Sequence, residues 1–120
     1  MRILVVEDSP VEQRLIAEIL KRNNIVDVLY ATDGESALAL ALEHKPDIVL
    51  LDVVLPKKTG FQVCRAIKTA DETSQTKVIL LTSKRQQSDK EWGIQQGADA
   101  YVTKPIDEAT LLKVIGDHIS

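Results

Sequence analysis

Ile48-Val49-Leu50-Leu51-Asp52-Val53-Val54-Leu55-Pro56 decides how this chain folds. Four aliphatic residues in succession, without alternation, describe a short strand covered on both faces, which is the habit of parallel sheets. The run stops at an acid and then at a proline, so the strand delivers a carboxylate to its carboxyl end. Similar short runs lie on either side: Ile3–Val6 and Val26–Ala31 before it, Val78–Leu81 and Ala100–Val102 after it. Amphipathic segments separate them. Strands alternating with helices imply a parallel sheet with right-handed crossovers and helices on both faces. The expected fold is therefore α/β, a doubly wound five-stranded parallel sheet in one domain, 1–120, with no output domain.

The intervening segments carry helix start signals. Ser9-Pro10-Val11-Glu12 reads as a capping box with proline at the first helical position. Ser88-Asp89-Lys90-Glu91 reads as a second box, and Asp33 and Asp107 are candidate N-caps. Val11, Leu15 and Ile19 suggest the inner face of the first helix, and Leu111, Leu112, Ile115 and Ile119 that of the last. Gly97-Ala98 marks a helix exit into a strand.

Composition removes several function classes. Aromatic residues make up 3% of the chain, the net charge is -3, and no run of Lys or Arg exceeds two. A nucleic-acid binder would need a basic footprint or stacking platforms, so no nucleic-acid partner is expected. No apolar stretch approaches the roughly 18 residues of a membrane span. The single cysteine, Cys64, has no internal partner, and the N-terminus lacks a cleavable-leader pattern, so a cytoplasmic protein is expected. Cys64 itself suits a small buried filler. His44 and His118 fall near helix ends, where they complement the dipole rather than ligate.

The polar residues gather at one edge. Glu7-Asp8 follow the first strand, Asp52 closes the third, Thr82-Ser83 close the fourth, and Lys104-Pro105 follow the fifth. Open α/β sheets bind ligands at this carboxyl rim. Carboxylates, a hydroxyl and an ammonium suit phosphoryl transfer to a carboxylate beside Mg²⁺, a hard cation that takes oxygen ligands. Three crowded acids carry about -3, nearly matched by the metal plus Lys104. Other uses of the architecture fit less well. An aspartate-nucleophile phosphatase needs a second acid two positions after the nucleophile, where this chain has Val54. A nucleotide or flavin carrier needs a glycine-rich loop after the first strand, where Glu7-Asp8-Ser9 stands instead.

In the acidic pair Glu7-Asp8, Asp52 with Leu55-Pro56 and Gly60, Thr82-Ser83, and Tyr101 ahead of Lys104-Pro105, the chain resembles the response-regulator receiver family along its whole length. That resemblance implies a flavodoxin-like (βα)5 fold with strand order 2-1-3-4-5. It implies that Asp52 is phosphorylated by a histidine kinase or phosphotransfer domain. Asp8, Asp52, Glu7 and the backbone carbonyl of Val54 would hold Mg²⁺ or Mn²⁺. Lys104 would pair with the phosphoryl oxygens, and Thr82 and Tyr101 would act as the switch, altering how the face of the fourth helix, fifth strand and fifth helix meets a downstream effector. The Lys104–Pro105 peptide would be cis. Val54 and Lys84 stand where relatives influence the attacking water, and an apolar Val54 implies a persistent phosphoaspartate. A monomer or weak dimer is expected. Ser88-Asp89-Lys90-Glu91-Trp92-Gly93 with Gln96-Gly97-Ala98 further resembles the single-domain regulators of twitching motility and type IV pili, the PilH group. The competing reading is a degenerate receiver that binds its partner without phosphorylation, or serves as a phosphate sink.

Overall fold

The computed structural model describes residues 1–83 and 94–119. The chain runs β1 (Ile3–Val6), α1 (Pro10–Arg22), β2 (Val28–Ala31), α2 (Gly34–His44), β3 (Ile48–Asp52), α3 (Gly60–Thr69), a short 3₁₀ turn (Asp71–Thr73), β4 (Lys77–Thr82), β5 (Ala100–Thr103) and a C-terminal helix (Glu108–Asp117). All the strand pairs are parallel, in the order β2-β1-β3-β4-β5. This is the expected doubly wound order. Because the order reverses beside β1, the carboxyl ends of β1 and β3 open onto a crevice.

Each central strand sends alternate residues to opposite faces. Leu4, Val6, Val49, Leu51, Val78 and Leu80 pack against Ala37 and Ala41 of α2 and Val63, Cys64 and Ile67 of α3. Ile3, Val5, Ile48, Leu50, Ile79 and Leu81 pack against Ile16, Ile19 and Leu20 of α1 and Leu111 and Ile115 of the C-terminal helix. The unbroken aliphatic runs are thus explained: neither face is available to water.

Several helix signals work as the residues suggest. Pro10 opens α1, and Asp33 and Asp107 accept from the backbone N–H groups of Ser36 and Thr110 at 2.8 and 2.9 Å. His44 ends α2 and His118 caps the C-terminal helix. Three expectations need correction. Val11 and Leu15 are exposed (78% and 40%), as is Ile119; the buried stripe of α1 is Ile16, Ile19 and Leu20. The helix is rotated because its first turn lies over the rim of the sheet rather than over its core. Val26 lies before β2 and is exposed, since β2 is an edge strand that starts only where Val28 meets Ile3. The reciprocal box at Ser9 is half made. Ser9 Oγ accepts from the Glu12 N–H at 3.4 Å, but the Ser9 N–H donates to Glu7 Oε1 at 3.1 Å, because the Glu12 carboxylate is drawn to a cation instead. The reciprocal box that does form, between Thr59 and Gln62, starts α3. The Ser88 box, Trp92 and Lys84 lie outside the described residues. Gly97 has φ +92, the left-handed geometry of a helix exit.

Candidate functional site

The rim is built from strand ends. Alternation continues past the end of β1, so Glu7 follows Ile3 and Val5 toward the α1 side and is buried, 1% exposed. Asp8, one residue on, is exposed. Asp52 closes β3 on the same side as Ile48 and Leu50 and is 5% exposed. Its Oδ1 accepts from the Val54 N–H at 3.0 Å, which orients the carboxylate at the head of the following loop.

Lys104 enters from the end of β5. Its backbone N–H donates to the Thr82 carbonyl at 2.6 Å, and the Lys104–Pro105 peptide is cis. The ammonium group meets Glu7 Oε2 at 2.9 Å, Glu12 Oε2 at 2.5 Å and Asp52 Oδ2 at 3.0 Å. An ammonium has three N–H donors, and each here faces a carboxylate. Oxygens of Glu7, Glu12 and Asp52 all lie within 4.8 Å of one another. Three acids around one cation leave an excess of about two negative charges when all are ionised.

Burial answers part of that excess by pushing the Glu7 carboxyl up to about 7; the bond from Lys104 pulls against this, and the neighbouring Asp52 adds to it. For Lys104, burial favours the neutral amine, but the bonds to Glu12, Glu7 and Asp52 outweigh it and hold its proton above the ordinary lysine range. Lys104 is a fixed positive charge at any ordinary pH.

Of the residues singled out in the sequence, Glu7, Asp52 and Lys104 are brought into direct contact, whereas Asp8, exposed on the turn after Glu7, is not among the acids whose oxygens gather there. Thr82 is buried at 3% exposure and closes β4, one position past the Asp52–Leu81 pairing. By strand alternation it continues the side of Val78 and Leu80. Tyr101 is half-buried and packs on that same α2/α3 face. The residue that sequence reasoning missed is Glu12. Its signal was present, since an acid one turn into α1 lies over the rim where α1 begins.

The loop after Asp52 is fitted against two glycines. A Cβ on Gly60 would lie 2.2 Å from the Asp52 carbonyl oxygen, and the Gly60 N–H donates to the Val53 carbonyl at 2.8 Å. A Cβ on Gly34 would lie 2.5 Å from Lys58 Cβ. Hard oxygen donors with surplus negative charge match a small divalent cation such as Mg²⁺, so the residues present fit that ion.

Residues 3–116 match the response regulator receiver domain. The chain belongs to that family. The receiver is 47% identical over 114 residues to Protein PilH of Pseudomonas aeruginosa, covering 95% of this chain and 93% of PilH. The likeness to PilH drawn from Ser88–Gly93 and Gln96–Ala98 therefore extends over nearly the whole length. Among solved structures, the receiver is similar to the chemotaxis protein CheY4 of Vibrio cholerae, with TM-score 0.90, 29% identity and 98% of each chain covered. It is also similar to the receiver domain of the sensor histidine kinase PA1611 of Pseudomonas aeruginosa, whose active-site cleft coordinates a magnesium ion. That match has TM-score 0.89, 31% identity and coverage of 97% and 94%. No described helix of this receiver is long and apolar enough to cross a membrane.

Proposed function

We propose that this receiver is a phosphoacceptor switch in which the Asp52 carboxylate takes a phosphoryl group from a phosphohistidine on a histidine kinase or phosphotransfer domain. The observation that carries the reading is the Asp52–Lys104 contact of 3.0 Å inside a buried acidic cluster. A carboxylate oxygen bonds to phosphorus, the P–N bond of the donor breaks, and its electron pair returns to the imidazole nitrogen, which takes up a proton from water. Asp52 needs no base, since it attacks as the anion. The transition state is loose, so what the protein supplies is position and charge. Val54 N–H orients the attacking carboxylate, and Lys104 offers a fixed positive charge to the incoming oxygens. Thr82, at the end of the neighbouring strand, donates its hydroxyl to the phosphoryl group.

Asp8, Glu7, Asp52 and the Val54 carbonyl would hold Mg²⁺, and Mn²⁺ takes the same oxygen ligands. When bound, the ion neutralises charge on the transferring group. Phosphorylation adds about -1.5 to -2 to the rim. Thr82 and Tyr101 share one face of the sheet, so a Thr82 drawn toward the phosphoryl group leaves room behind it for the Tyr101 ring. The altered surface around β5 and the C-terminal helix then changes which effector is bound. Turnover of free substrates is not part of this role. The likeness to PilH supports a place in pilus-driven motility.

The test is incubation with Mg²⁺ and acetyl phosphate. Wild type gains an acid-stable, hydroxylamine-labile label and Asp52→Asn does not; equal labelling of the two would overturn the assignment.

A further inference from the structure

Glu12 has no part in the reaction described above, yet it makes the shortest of the three contacts to the lysine on which that reaction depends. We infer that Glu12 is a positioning residue, a latch that holds Lys104 in the unphosphorylated receiver and must let go as the phosphoryl group approaches Asp52. The inference rests on the reading of Asp52 as phosphoacceptor.

Donor arithmetic requires a release. The ammonium has three N–H groups, and Glu7, Glu12 and Asp52 occupy all of them. While Asp52 is still a carboxylate, Lys104 reaches an oxygen of the incoming phosphoryl group only by giving up one partner. Exposure decides which. The Glu7 side chain is 1% exposed and that of Asp52 7%, so either would be left buried without its counter-charge. The Glu12 side chain is 38% exposed, and water can replace the lysine there. Glu12 is also anchored independently of its side chain, since its backbone N–H is held by Ser9 Oγ and Pro10 starts the helix. Its carboxylate is free to swing outward while α1 stays in place.

The latch has two effects of opposite sign. Its negative charge adds to the field that draws a divalent cation into the cluster. The same charge retains Lys104 and repels the incoming phosphoryl group. Removing it therefore weakens the metal and speeds the transfer, a combination that damage to α1 would not produce, since a loosened site loses both.

The experiment uses the full chain with Glu12→Gln, which keeps the shape, and Glu12→Ala, which removes the contact. Mg²⁺ affinity of the unphosphorylated protein is measured by calorimetry, and the rate of phosphoaspartate formation from acetyl phosphate is measured at saturating Mg²⁺. Affinity is expected to fall about two- to fivefold and the rate to rise by a similar factor, the scale of one part-exposed ion pair. Glu12→Asp, which keeps the charge, is expected to restore most of the Mg²⁺ affinity. Unchanged values in both variants overturn the latch, as does a fall in affinity and rate together. Loss of Mg²⁺ affinity by more than about 100-fold also overturns it, because Glu12 would then be a metal ligand in its own right. Asp52-dependent labelling of wild type with silent Glu12 variants would refute the latch alone. Labelling that ignores Asp52→Asn would refute the phosphoacceptor reading and take the latch with it.

Discussion

Replacing Gly60 by alanine sets two effects against each other. Gly60 is the first residue of α3, and its backbone does not need a positive φ. Helix propensity and a less flexible unfolded chain then favour alanine by up to about 1 kcal/mol. Sterics oppose it. The new methyl would sit 2.2 Å from the Asp52 carbonyl oxygen and 2.7 Å from Val53 Cα, both backbone atoms in a buried turn. Ordinary contact needs about 3.5 Å, so either the loop or the helix start must move by roughly 1 Å. Overpacking of that kind costs about 1–3 kcal/mol, and the sum is destabilising. Gly116 is the internal control, since nothing lies within 4 Å of its Cβ position in the C-terminal helix. There alanine gains propensity without a clash. Urea unfolding followed by circular dichroism should show Gly60→Ala losing about 1–3 kcal/mol and Gly116→Ala gaining about 0.5–1 kcal/mol. Melting points should shift by about 4 °C per kcal/mol, downward in the first variant and upward in the second. A displacement near 1 Å at the reacting carboxylate should also slow acetyl phosphate labelling by about 100-fold in Gly60→Ala. If Gly60→Ala proves as stable and as reactive as wild type, the steric reasoning is refuted.

Four other perturbations follow from separate features. Burial pushes the Cys64 thiol up to about 12, helped by the nearby Asp99 charge and opposed by Lys68, so at pH 8 a thiol reagent should react only after denaturant is added. By the same shift, the folded thiol keeps its proton where the unfolded one loses it. Stability should therefore fall as pH rises above the ordinary cysteine value of 9, an effect that Cys64→Ala removes. Asp99 accepts from the Val78 N–H at 2.8 Å and from Lys68 Nζ at 3.1 Å, so Asp99→Ala should cost about 2–4 kcal/mol in urea unfolding. Lys113→Ala, which breaks an exposed pair with Asp117, should stay within about 0.5 kcal/mol of wild type. The Val54 side chain is 67% exposed beside Asp52, and Val54→Asn should shorten the phosphoaspartate lifetime by offering a hydrogen bond to attacking water. An unchanged rate of label loss would disprove that role.

The fold was legible because β1, β3 and β4 are built on unbroken aliphatic runs that alternate with helical segments. Asp52 and Lys104 were legible because each stands where such a run stops. Glu12 was not, because an acid at the third helical position already has an ordinary use in capping, and nothing local says that a lysine ninety-two residues away will claim it. The inner face of α1 was misread for a related reason. Val11 and Leu15 fit helical spacing as well as Ile16, Ile19 and Leu20 do, and only the position of the first turn above the rim separates them. The difference between Glu7 and Asp8 was in principle readable, since Ile3, Val5 and Glu7 are two residues apart and share a side.

The division of the sheet into two faces carries a consequence for how such a protein changes over generations. By alternation Glu7, Asp52 and Lys104 continue the side packed by α1 and the C-terminal helix, whereas Tyr101 packs on the side of α2 and α3. The acids with Lys104 and the Tyr101 ring are thus mounted on opposite walls, joined at the strand ends where the Lys104 amide meets the Thr82 carbonyl. Substitutions can accumulate on the surface around Tyr101 and redirect the signal to new listeners while the reacting groups keep their places.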